Sequence, residues 1–268
     1  MSVRAACSLR ARATSLPAVA ALVTVVTALA GCASTASSTM PRADAQRRAD
    51  IRVELASNYY ADGRMDLALA EIARALDAQP SNAEALGLKG LVLMQMGDAK
   101  QGEQSLQQAV RIDPDNPRLL NNLGWLVCQS GDPQRALPYF ERALAQRNYA
   151  SPATALANAG LCSLRAGDLR SAEANLVRAQ SLDPVLVTAQ DGLAQLAYAR
   201  ADYIAARHHV ARVLASREAN PEHFLMAVRV ERMLGDQAAE QSLLTQWRRR
   251  YQESQQLQAY LRGESDEH

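Results

Sequence analysis

Glycine recurs in this chain at a spacing that few folds can use. Gly63, Gly97, Gly131, Gly167 and Gly235 share one register, with Ala201 filling the remaining place, in steps of 34, 34, 36, 34 and 34 residues. A fixed period of this size means one small supersecondary unit stacked on copies of itself. The stretch NNLGWLVCQSGDPQRALPYFERALAQ, residues 121–146, shows what the unit is. Leu120, Leu123, Gly124 and Val127 recur at helical spacing before the glycine. After it, Ala136, Phe140 and Ala143 fall at i, i+4 and i+7, so they share a second helical face. Asp132 is placed to cap the second helix, and Pro133 stands at its first position, where a missing N–H costs little. Small residues at Gly124, Ala136 and Ala143 admit close approach of the two helices, and Phe140 fills the space between them. One such hairpin cannot bury its own apolar face, so it needs neighbours.

This pattern resembles the tetratricopeptide repeat, a helix-turn-helix unit of 34 residues. Six units follow at 49–82, 83–116, 117–152, 153–186, 187–220 and 221–254. Their twenty-seventh place holds Ala75, Ala109, Ala143 and Ala179, then larger residues, with Trp247 in the sixth unit. Asp113-Pro114 and Asp183-Pro184 close units, since the residue before a proline leaves the helical region. The sixth unit carries Val228 and Glu240 where small residues are expected and reads as a degenerate cap. The expected fold is therefore all-α, a tetratricopeptide-repeat solenoid of about six units wound as a right-handed superhelix. Composition agrees: 48% of residues are hydrophobic and only 4% aromatic, which suits tightly packed alanine- and leucine-rich helices. Pro138 stands against the pattern, inside the second helix of unit three, where it kinks the helix or is merely tolerated.

The two ends read differently. Arg4, Arg10 and Arg12 precede an apolar run from Leu16 to Ala30, too short and alanine-rich for a membrane span. The run ends in Leu29-Ala30-Gly31-Cys32, which resembles the lipobox of bacterial lipoproteins. The resemblance implies a signal peptide at 1–31, removed before Cys32, a diacylglycerol on the Cys32 thiol and an acyl chain such as palmitate on the new amino terminus. Two or more chains anchor stably where one does not. Ala33 and Ser34 follow with no aspartate, which by the rules for such lipoproteins implies the periplasmic face of the outer membrane. Residues 32–48 are polar and aperiodic, a lipidated flexible tether. Residues 255–268 form a polar tail in which Leu257, Tyr260 and Leu261 mark a short docking helix. Without the three leader arginines, 26 basic residues stand against 28 acidic ones, which gives no footprint for nucleic acid.

Catalytic signatures are missing. No phosphate loop, dinucleotide turn, HExxH, CxxC or GxSxG occurs, so the reading is not an enzyme, with no cofactor and no metal. His208 and His209 are consecutive, diverge on a helix and are expected at the surface. Cys128 and Cys162 lie on first helices of adjacent units, so in an oxidising compartment they form a disulfide or remain two small buried hydrophobes. The first helices offer a groove. Leu91, Met94, Asn121, Trp125, Leu161 and Leu164 make its centre apolar and mark it as the partner-binding surface. Asn121 is expected to hold a peptide backbone and Trp125 to serve as a rigid anchor.

A lipobox, a short tether and about six such repeats resemble the type IV pilus biogenesis and stability lipoproteins, the PilF/PilW-type secretin pilotins. The lengthened link Asn148-Tyr149-Ala150-Ser151-Pro152, the following ANAGLCSLRAGD and the stretch LAYARADYIAARHHV carry the closer likeness. That family implies binding of the secretin subunit of the pilus machinery and help with its outer-membrane localisation and multimerisation. The competing reading is another lipoprotein scaffold with the same repeats, an outer-membrane protein assembly subunit or a hydrolase adaptor.

Overall fold

The computed structural model of the protein describes residues 42–263. The expected signal peptide, Cys32, the tether as far as residue 41 and residues 264–268 lie outside the described residues. The described residues form thirteen α-helices and no strand. Six consecutive pairs come first: α1 (Arg42–Ala61) with α2 (Met65–Ala78), α3 (Ala83–Gln95) with α4 (Ala99–Ile112), and α5 (Pro117–Gln129) with α6 (Pro133–Leu144). Then follow α7 (Pro152–Arg165) with α8 (Leu169–Leu182), α9 (Val187–Ala199) with α10 (Tyr203–Leu214), and α11 (Pro221–Leu234) with α12 (Gln237–Arg250). The short α13 (Gln255–Leu261) ends the series. From α3 onward each first helix packs on its own second helix, on the second helix before it and on the next first helix. That is the nearest-neighbour plan of a solenoid.

Each hairpin turn has the same two parts. At its tip the chain enters the left-handed region, with φ of 88° at Gly97 and 93° at Gly131, which costs a glycine nothing. An aspartate follows and caps the second helix. Asp132 accepts a hydrogen bond from the Arg135 N–H at 3.1 Å, and Asp98, Asp168, Asp202 and Asp236 do the same three residues ahead of themselves. Unit one differs, since Arg64 stands at its cap with no side-chain hydrogen bond.

Packing between paired helices depends on missing side chains. A Cβ on Gly90 would lie 2.8 Å from the Gly102 carbonyl oxygen and 2.6 Å from Leu106 Cγ, so the backbones of α3 and α4 nearly touch. In unit three the ring of Phe140 takes that space instead, against Gly124. The largest buried cluster joins Leu106, Leu120, Leu123, Leu126 and Phe140 across units two and three.

Three expectations change or resolve. The tether does not extend to residue 48: α1 begins at Arg42, because RADAQRR contains good helix formers and Ala49 is fully buried against Ala75 and Ala85. Helix α6 runs unbroken through Pro138, which sits on an exposed face; Gln134, whose carbonyl loses its partner, is exposed as well and open to water. Beyond unit six, α13 docks through Leu257, which is buried against Phe224, Val228 and Trp247.

Candidate functional site

The first helices lie side by side, α3 on α5, α5 on α7, α7 on α9 and α9 on α11, and so form one continuous layer. The six residues expected to line its groove divide into three groups. Leu91, Met94 and Trp125 are partly exposed and rest on the same buried cluster. Leu164 is also partly exposed but belongs to a separate cluster with Leu176 and Leu193. Asn121 and Leu161 are buried, at 6% and 7% exposure, although Asn121 still borders the larger of two cavities beside Arg118. Asn121 accepts a hydrogen bond from the Asn158 amide at 3.0 Å, so its carbonyl oxygen fastens α5 to α7. A buried amide must find a partner, and the neighbouring helix supplies one.

Trp125 keeps its place at the surface. The Arg165 guanidinium lies 5.7 Å from its ring centroid and also donates to the Gln129 side chain. The indole therefore meets solvent between an apolar floor and a cation that its face attracts. Below it, Cys128 and Cys162 form a disulfide that joins α5 to α7, with Cα atoms 5.9 Å apart. Both cysteines are buried, so Cys128 contributes nothing to the surface.

Two cavities flank Arg118. The first, about 190 Å³, opens between α1, α3 and α5, with Val53, Leu88, Leu91 and Leu119 among its apolar walls. Gly87 leaves it room: a Cβ there would meet Leu119 Cδ2 at 2.4 Å. The second, about 480 Å³, lies between the start of α5 and the link to α7, beside Asn148, Tyr149, Ser151 and Thr154. Arg118 and Asn122 line both. Of the groove residues expected from the sequence, Leu91 lines the first cavity and Asn121 the second, whereas Arg118, Asn122 and the link residues were not among them. The signals of the cavities were a glycine at a groove place and two extra residues in unit three.

Toward unit six the layer turns polar. Gln195 donates to the Asp191 carboxylate at 2.8 Å, and His223 Nε2 stands 3.8 Å from it. Burial pushes the Asp191 carboxyl up, against the opposing pull of His223. His208 is exposed, whereas His209 is half-buried and its Nδ1 lies 2.9 Å from Gln190 Oε1. Burial holds the His209 imidazole below its usual pKa, with the charges of His208 and Arg212 acting in the same direction. Among the described residues no group of three or more His, Cys, Asp or Glu is placed to hold a metal ion, and no helix is long and apolar enough to cross a membrane.

An all-α layer of capped hairpins with this period is the tetratricopeptide-repeat fold. Models of that repeat match residues 81–148 and 121–184. Over 87% of its length the chain is 23% identical to the type IV pilus assembly protein PilF of Pseudomonas aeruginosa, covering 93% of that protein. The solved structure of PilW, a type IV pilus biogenesis factor, is 26% identical with a TM-score of 0.69, over 80% of this chain and 98% of that one. The structure of Pseudomonas aeruginosa PilF, at 22% identity and a TM-score of 0.65, shares the fold over 83% of this chain and 99% of its own. Together these likenesses support a tetratricopeptide-repeat scaffold related to the type IV pilus.

Proposed function

We propose that the protein is an outer-membrane lipoprotein scaffold of type IV pilus biogenesis that binds the secretin subunit and aids its localisation and multimerisation. The observation that carries this reading is likeness along nearly the whole repeat array to PilF and PilW, rather than to a few repeats. The Leu-Ala-Gly-Cys sequence ending at Cys32 adds the anchor, and lipid there would hold the array at the periplasmic face. The part played by the fold is non-catalytic: a rigid layer of first helices presents Leu91, Met94 and Trp125 to a partner segment, while the lipid keeps the pair at the membrane.

Pull-down from solubilised membranes tests the pairing. The parent should recover the secretin subunit, and Cys32→Ser should leave the outer-membrane fraction while its repeats stay folded. Trp125→Ala should weaken secretin binding by about 2 kcal/mol or more, roughly thirty-fold, with the helical melt recorded in parallel because the ring rests on the core. Recovery of barrel-assembly subunits in place of secretin would refute the reading.

A further inference from the structure

The larger cavity beside Arg118 is chemically unlike the rest of the layer. Arg118 is the sole charged side chain among the residues that line it; Asn122, Asn148, Ser151 and Thr154 add neutral groups able to donate hydrogen bonds. Ser151 stands at the cap position of α7 yet makes no capping bond with its side chain, so its hydroxyl is not engaged by the helix it precedes. The partly buried Tyr149 forms part of the lining, near enough to Arg118 for the positive charge to act on its phenol. The cavity is built in part from the link Asn148-Tyr149-Ala150-Ser151, which two extra residues lengthen. A cation among neutral donors, with no carboxylate in the lining, is complementary to an anion.

We propose that this cavity receives the side-chain carboxylate of an aspartate or glutamate in an extended partner segment, with Arg118 as its counter-charge. Glu84 of α3 occupies the guanidinium until then. That pair is open to water, with side-chain exposures of 61% for Arg118 and 49% for Glu84, so it is weak and readily exchanged. A guanidinium fork suits the planar carboxylate of a partner as well as that of Glu84. Glu84 is thus a competitor built into the free protein. The inference rests on the reading that the first-helix layer takes a partner segment, and it names the chemistry of that segment.

The competition gives two exposed substitutions opposite signs. The full chain is used to select binders from random peptides displayed within a host loop, so that no free carboxyl terminus is offered. Selected peptides should be enriched in Asp or Glu, and amide replacement of that residue should cost about tenfold in affinity. Arg118→Gln should lose a similar factor, whereas Glu84→Gln should bind several-fold more tightly, with unchanged helical melts for both. A purely structural ion pair would move the two variants in the same direction. Failure to select any peptide, selected peptides without acidic enrichment, indifference of Arg118→Gln, or weakening by Glu84→Gln would each overturn the proposal. Acidic preference seen only with a free terminus would overturn the assignment to a side chain. Secretin binding left unchanged by Arg118→Gln would sink the cavity and spare the pilus reading; acidic peptides bound without any secretin recovery would do the reverse.

Discussion

Units two to four and unit six fill the same space between paired helices with side chains of opposite size. In units two to four the helices meet at Gly90 and Gly102, Gly124 and Ala136, Gly160 and Ala172, and one medium or large residue per unit fills what remains. In unit six the corresponding places hold Val228 and Glu240, and Val228 is buried in one cluster with Leu244, Phe224 and Trp247, the two rings stacking 6.4 Å apart. Val228 and Trp247 are fully buried, so the substitution of large for small leaves no looser core. Glu240 stays at the rim, where it accepts from Arg232 and from the Tyr260 hydroxyl of α13. What the repeat preserves is filled volume, and the end unit departs from the pattern because α13, not another repeat, covers it.

The largest effect should come from emptying the aromatic end. Trp247→Ala removes the biggest fully buried side chain and should destabilise its surroundings by about 3–5 kcal/mol. The indole N–H has no hydrogen-bond partner among the described residues, so the loss is one of packing rather than of a polar bond. Hydrogen exchange should then show α11, α12 and α13 open while α3 to α8 keep their protection. Loss of protection along the whole array in one step would break the contrast, since it would make unit six part of a single cooperative core.

The disulfide marks the other side of the comparison. It joins α5 to α7 across the lengthened link, at a sequence separation of 34, and no counterpart exists between units five and six among the described residues. Closing a loop of this length constrains the unfolded chain by about 2–4 kcal/mol. Cys128→Ser with Cys162→Ser should lower stability by that amount, and a reductant should do the same to the parent while leaving the double variant unmoved. A reductant effect equal in both would show that the two sulfurs contribute no bond to stability.

Much of this contrast could be read from residues in order. The glycine register located every hairpin turn, Asp132 was visible as a cap, and Val228 and Glu240 already set the last unit apart. What could not be read are properties of joints. Asn121 has groove spacing on its own helix, but Asn158 on the next helix captures it. Leu161 is covered by its neighbours for the same reason. The start of α1 was hidden because only one small residue, Ala49, is buried in its first two turns, which leaves no apolar stripe to count. The cavities arise where a side chain is absent or a link is long, and periodicity does not register either.

The smallest effect concerns the turn that breaks the glycine register. Ala201 adopts φ of 58°, the same left-handed conformation that glycine adopts at the other hairpin tips. Its neighbours keep the usual turn bonds, with the Asp202 N–H on the Ala197 carbonyl at 2.9 Å, so the backbone geometry is the repeat's own. At the equivalent glycines an added Cβ would meet nothing within 4 Å, which makes the cost at Ala201 one of local conformation and not of collision. That cost is about 1–2 kcal/mol for an L-residue, partly offset because alanine has less freedom to lose on folding than glycine. Ala201→Gly should therefore stabilise the array by roughly 0.5–1 kcal/mol, and Gly97→Ala should destabilise it by a similar amount. Thermal melts of the two variants should move in opposite directions by roughly 1–4 °C. If Gly97→Ala costs stability while Ala201→Gly gains none, the fifth turn has relaxed its strain into the helices around it, and units five and six differ from their neighbours in backbone as well as in side-chain size.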